Sequence, residues 1–184
     1  MNEIRRLEEL LNYVNSGNAV DFLFFWGHQS KVDAISETCL SQWYGSPFKD
    51  QGILYKTAEH FMMAAKATLF ADHEALRAIL ESPNPADAKA IGRRIKGYDD
   101  DHWNQHRYAY VVAGNYAKFT QHAALKEYLL LTGDRVLAEA SPVDKIWGIG
   151  LDKNDPAAGN PNLWKGLNHL GFALMEVRDL MRHL

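Results

Sequence analysis

The segment GILYKTAEHFMMAAK, Gly52–Lys66, changes its pattern halfway along. Gly52 to Lys56 is a short β-prone run behind a glycine and reads as a strand. Thr57 has the character of an N-cap, and Phe61, Met62 and Ala65 then supply the buried side of a helix beginning at Ala58. Within that helix Glu59 and Lys66 stand seven residues apart. Two turns at 3.6 residues each bring them onto one stripe, with Met62 or Met63 between them. Such a stripe is either a solvated edge or the wall of a pocket.

The same alternation of short strand and helix extends outward. Ile4, Leu7, Leu10 or Leu11, and Val14 recur at helical spacing until Ser16-Gly17-Asn18, which predicts an amphipathic N-terminal helix. AVDFLFFWG, Ala19–Gly27, is aromatic, β-prone and closed by glycine. SQWYGSPF, Ser41–Phe48, is punctuated as a loop by Gly45 and Pro47, and its aromatics either line a pocket or pack structurally. Beyond Lys66, Asp72 opens a helix that stops at Pro83. Asn84 caps another, with Pro85 at its first position, which is expected to run to about Lys96 with Gly97 as its stop. Helices are also expected over Trp103–Lys118 and Gln121–Leu131, a strand over Arg135–Ser141, and a polar loop over Asp152–Asn162. The last helix carries Leu163, Leu167, Leu170, Leu174, Val177 and Met181 on one stripe. The expectation is one α+β domain, predominantly helical with a small sheet, over residues 19–184, behind a helical extension over residues 1–18.

With 184 residues, 47% of them hydrophobic and 23% charged, the chain suits one sizeable core. A net charge of -3 opposes any function that coats nucleic acid or an anionic membrane, because those modes need a broad positive field. The single cysteine, Cys39, permits no internal disulfide, and the acidic N-terminus reads as neither signal nor membrane span, so a cytoplasmic protein is expected.

Several segments carry candidate chemistry. His102 and His106 have the i, i+4 spacing of metal ligands, but no third ligand is indicated and no metal site is expected. Glycines in GIGLDKNDPAAGN lack the lysine-serine pair of a phosphate loop. In KAIGRRIKG, Lys89, Arg93, Arg94 and Lys96 either grip phosphate or simply complement a helix C-terminus. Asp144 precedes Trp147-Gly148 just after a predicted strand, a position where sites are often built. Asn168 and Gly171 interrupt an apolar helix, which points to ligand contact by Asn168 or to close helix packing at Gly171.

Taken together, WYGSPF, YKTAEHFMMAAK, IGRRIKG followed by His102-Trp103, DKIWGIG and GLNHLGFALMEVRD resemble, in that order, the NADAR family of YbiA-like proteins. The resemblance covers nearly all of Phe22 to Leu184 and leaves the N-terminal helix outside. It implies an N-glycosidase acting on phosphorylated ribosides, either early ribosylamino-pyrimidine intermediates of riboflavin biosynthesis or ADP-ribose on guanine in DNA. No cofactor and no membrane partner are implied. The family's catalytic glutamate falls on Glu59, its helix lysine on Lys66, its tryptophan on Trp103 and the acid before Trp-Gly on Asp144. Its Gly-Arg falls on Gly92-Arg93. The chain departs from the family in GLNHLG, where a basic residue is frequent in place of Leu167 or His169, and has Leu-Ser-Gln-Trp where Phe-Ser-Asn-Phe is common.

Breaking a ribose C1–N bond develops oxocarbenium character, which a carboxylate stabilises while a protonated group helps the nitrogen leave. Glu59 and Asp144 are the candidate pair, in either order. Lys66 offers a second route, attacking C1 of a ring-opened riboside to form a Schiff base, if its pKa is lowered; a salt bridge to Glu59 would raise it instead. Trp103 or Trp147 is suited to stack on the base, and Arg93 with Arg94 or Lys96 to hold phosphate. Trp43, Tyr44, Gly92, Gly148 and Asn168 complete the expected binding residues. A non-catalytic ADP-ribose-binding module is the alternative from another class.

Overall fold

Gln51 and Gly52 both take positive φ, 46° and 83°, the turn that folds two short strands back on each other. Strand β2 (Phe48–Asp50) and strand β3 (Ile53–Tyr55) pair antiparallel, with Phe48 opposite Tyr55. The second strand is the expected one. The first lies at the end of what reads as a loop, because three residues are too few to show an alternation. The computed structural model describes residues 4–29 and 34–183, so residues 1–3 of the N-terminal extension lie outside the described residues. Its chain divides into two compact units, Gln42–Ala123 and the combination of Met1–Ser41 with Ala124–Leu184.

The first of these units is built around helix α2 (Ala58–Leu69), which packs against helices α3 (His73–Glu81), α4 (Pro85–Gly92) and α5 (Asp100–Gln121). Being surrounded, α2 buries even its polar first turn: Glu59 and His60 are 2% and 1% exposed. Phe48, Tyr55 and Phe61 meet with ring centroids 5.0–5.9 Å apart. Gly114 lets α5 approach, since a Cβ there would stand 2.6 Å from the Phe61 ring. Each start signal works as expected: the side chains of Thr57, Asp72 and Asn84 accept from the third backbone N–H of their helices.

Helix α4 ends at Gly92, four residues short of the expected Lys96. The cause is tertiary: the Lys96 N–H donates to Asp72 Oδ2 at 2.9 Å, drawing the chain out of helix, and Gly97 closes the turn with φ of 71°. Helix α5 starts earlier than expected because Asp99 caps it, accepting from the His102 N–H at 2.7 Å.

In the other unit, strand β1 (Phe22–Phe25) pairs in parallel with strand β4 (Val136–Glu139), Phe22 beside Val136. Helix α7 (His169–Arg182) lies on β4, burying Leu170, Leu174, Val177 and Met181. Leu163 and Leu167, expected on that stripe, precede the helix and are 53% and 42% exposed. Two constraints keep them out: Asn168 sits in the left-handed region with φ of 54°, and Gly166 passes so close to the Gly148 carbonyl that a side chain would not fit. Helix α6 (Ala123–Leu131) is followed by Gly133 at φ 63°, and Arg178 of α7 donates to Thr132 Oγ1 and the Arg135 carbonyl at 2.8 and 2.9 Å. Helix α1 (Leu7–Asn15) is preceded by Arg5, which pairs with Asp179 of α7 at 2.7 Å. Helices outweigh strands in both units, an α+β fold with little sheet. Among the described residues no helix is long and apolar enough to cross a membrane.

Candidate active site

The first turn of α2 is fixed from three sides. Thr57 Oγ1 accepts from the His60 N–H, and the Glu59 N–H donates to the Gln42 carbonyl at 3.0 Å. His60 Nε2 faces the Ser82 carbonyl at 3.3 Å, which can only accept, so Nε2 carries the proton and Nδ1 accepts from the Thr57 hydroxyl at 2.8 Å. Burial holds His60 below the usual histidine range, partly opposed by the Ser82 bond and reinforced by Lys56. A neutral imidazole therefore anchors the turn that carries Glu59, and a carboxylate in a helix's first turn interacts favourably with the dipole.

Two turns on, Lys66 Nζ donates to the Gly92 carbonyl at 2.9 Å. The ammonium stands 4.0 Å from the Tyr98 ring centroid and 5.7 Å from that of Trp103. Burial lowers its pKa, and Asp100 opposes the shift. Among the described residues Lys66 forms no ion pair with Glu59. Tyr98 stays a neutral phenol, its pKa pushed up to about 12 by burial and by donating to Asp100 Oδ1 at 2.6 Å. Trp103 is 7% exposed and lies nearly parallel to Tyr110, centroids 6.0 Å apart. Gly92 lacks a side chain where Met63 already fills the space.

The other expected binding residues of this unit are spread around α2. Lys89 Nζ lies 5.8 Å over the Trp43 ring and Lys118 Nζ 5.5 Å over the Tyr44 ring. Arg93 and Arg94 are exposed, with Arg94 Nε donating to Ala90 O at 3.3 Å. Lys96 pairs with Glu74 at 2.9 Å on the surface. Lys89, Arg94 and Lys96 thus each have a different partner. Sequence reading passed over Lys118, which is fully buried, and Asn115 beside Gln42. The available signal was the spacing Val111, Asn115, Lys118: polar residues at positions of α5 where apolar ones belong. His102 and His106 meet edge to face at 4.8 Å, and among the described residues no three metal-ligating side chains gather.

Asp144, Trp147, Gly148 and Asn168 belong to the other unit. Asp144 Oδ1 accepts from the backbone N–H of Ile146 and Trp147 at 2.9 and 2.8 Å, closing the turn that presents the indole. Trp147 meets His169 edge-on at 6.0 Å. Gly148 has no room for a side chain, with the Glu139 carbonyl 2.9 Å from where its Cβ would be. Asn168 is fully buried and spends its amide on β4: Nδ2 donates to Leu137 O at 2.9 Å and Oδ1 accepts from the Glu139 N–H at 3.0 Å. Gly171 packs against the Leu137 carbonyl. Close packing thus accounts for the glycine, and backbone bonds for the asparagine.

A buried carboxylate and a lysine of lowered pKa on one stripe, with indole and phenol rings around the amine, are the equipment of an enzyme that moves protons or forms a covalent adduct at carbon. The chain belongs to the NADAR domain family, whose model matches residues 24–182. It is 36% identical over 163 residues to N-glycosidase R617 of Acanthamoeba polyphaga mimivirus, covering 86% of this chain and 95% of that one. It is 32% identical over 146 residues to N-glycosidase Npun_R5314 of Nostoc punctiforme, covering 79% and 86%. The NMR structure of the E. coli protein YbiA superposes with a TM-score of 0.71 at 26% identity, covering 89% of this chain and 86% of that one.

Proposed function

We propose that the chain hydrolyses the C1–N bond of phosphorylated N-ribosides, the early ribosylamino-pyrimidine intermediates of riboflavin biosynthesis being the favoured substrate. The enzyme class is that of its relatives, a hydrolase of N-glycosidic bonds. The observation that supports this chemistry most is Lys66: an amine bound to the Gly92 carbonyl, lowered by burial and unpaired with Glu59 among the described residues. In its neutral form Lys66 keeps one N–H on Gly92 and has a lone pair for C1 of a ring-opened riboside. Attack forms a C–N bond from Lys66 to C1, the C1–N bond to the base breaks as the two lysine N–H protons pass to the departing amine, and water then hydrolyses the lysine imine to ribose 5-phosphate and free lysine. Glu59 serves as the proton carrier, and Trp103 forms an apolar wall beside the amine. In this reading Asp144 holds the turn that carries Trp147.

A free metabolite fits the net charge of -3 better than DNA does, since DNA binding draws its affinity from many phosphate contacts. Incubation with a ribosylamino-pyrimidine 5'-phosphate and, separately, with ADP-ribosylated guanine in single-stranded DNA tests the choice by mass spectrometry. Release of ribose 5-phosphate from the first alone is expected. Release of ADP-ribose from the second alone moves the enzyme to modified DNA, and no product from either leaves a binding module.

A further inference from the structure

Gln42 and Asn115 form a buried amide pair whose orientation is forced. Asn115 is fully buried, one turn before Lys118 on α5, and Gln42 is 8% exposed. Asn115 Nδ2 donates to the Val111 carbonyl at 2.9 Å, an atom that can only accept, so the amide cannot be turned over. Its second N–H meets Gln42 at 2.7 Å, and the atom receiving it must be Oε1. Gln42 Nε2 is thereby directed away from the pair, and among the described residues it has no acceptor. The arrangement has a cost: Asn115 Oδ1 is buried without a hydrogen-bond partner. Two donors spent and one acceptor left empty is poor design for a core, and it is explained if the outward Gln42 donor is used.

Gln42 also touches the candidate catalytic residue directly, since its carbonyl accepts the Glu59 N–H at 3.0 Å. That bond ties the segment carrying Gln42 to the first turn of α2. Resting on the proposed riboside chemistry, we propose that Gln42 Nε2 donates to the C2 hydroxyl of the substrate ribose, and that Asn115 is the positioning residue that holds the amide in this sense. The C2 hydroxyl adjoins the reacting carbon, and hydrogen bonds to it strengthen as oxocarbenium character develops. Because Nε2 only donates, the hydroxyl keeps its own proton for an acceptor, a part that the Glu59 carboxylate fills. The pair thus selects ribosides over 2-deoxyribosides.

The test is binding of ribose 5-phosphate and 2-deoxyribose 5-phosphate by isothermal titration to wild type, Gln42→Leu and Gln42→Met, with folding followed by thermal melting. Gln42→Met keeps the length of the side chain and removes the outward donor without adding charge, so it serves if the leucine variant misfolds. Wild type should prefer the ribose sugar roughly five- to tenfold. Both variants should bring that ratio close to one, a change that a purely structural role for Gln42 does not produce. An unchanged ratio in folded variants overturns the inference, as does a wild type that binds the two sugars alike or binds neither. Turnover of a ribosylamino-pyrimidine 5'-phosphate by the same wild-type preparation separates the two claims: turnover with an unchanged ratio removes only the role of Gln42, whereas absent turnover removes the riboside reading beneath it.

Discussion

The Lys66 ammonium meets the carbonyl of Gly92, 2.9 Å away, where a carboxylate would be the ordinary partner for a partly buried lysine. A carbonyl satisfies an N–H without compensating the charge. Burial then lowers the pKa, and Asp100 returns only part of what burial takes away.

If the neutral amine attacks C1, the rate should rise with pH through a pKa below the ordinary lysine value of about 10.4. Lys66→Met should lower turnover by roughly 10²–10⁴. Borohydride reduction during turnover should leave a ribose phosphate adduct on the wild-type protein and none on the variant. A rate that shows no rise with pH anywhere below about 10.4 contradicts the assignment.

His60 gives the fold a dependence on acid. Its pKa is lowered by burial, so between the lowered value and about 6.5 the unfolded chain binds the extra proton and the folded chain does not. Stability should therefore be complete above pH ~6.5, fall as pH drops through that window and level off below it. Urea titrations across pH measure this, and a His60→Gln variant should lose most of the slope.

Gly171 reverses a familiar rule. In an ordinary helix interior Gly→Ala stabilises by about 1 kcal/mol. Here a methyl would strike the Leu137 carbonyl and the Asn168 amide, atoms with nowhere to move. Gly171→Ala should destabilise by about 2–3 kcal/mol, measured by chemical denaturation.

How far the sequence discloses the fold depends on whether an element carries its own signals. Helix α2 does: a capping threonine, apolar residues at helical spacing and a glutamate in the first turn mark its start within a residue. Strand β2 does not, since only the Gln51-Gly52 turn and the partner strand define its three residues. The early end of α4 depends on Asp72, 24 residues from the Lys96 N–H it accepts. The late start of α7 depends on Asn168, which reads as a helix interruption and is held left-handed by its bonds to β4.

The site divides the same way. Glu59 and Lys66 are legible because seven residues is two helical turns, and the family resemblance singles them out. Asp144 reads equally well as a free carboxylate at a strand end, and only the conformation of the next three residues shows its Oδ1 engaged by two N–H groups. Gln42 and Asn115 are 73 residues apart, and nothing in either neighbourhood announces the pairing.

Glu59→Gln tests the central claim most directly. The isosteric amide preserves the first turn of α2 but cannot give or take a proton, so turnover of a ribosylamino-pyrimidine 5'-phosphate, followed as release of ribose 5-phosphate by mass spectrometry, should fall by roughly 10²–10⁴ with an unchanged melting temperature. A Glu59→Gln protein that melts like wild type and releases ribose 5-phosphate at the wild-type rate would contradict the account.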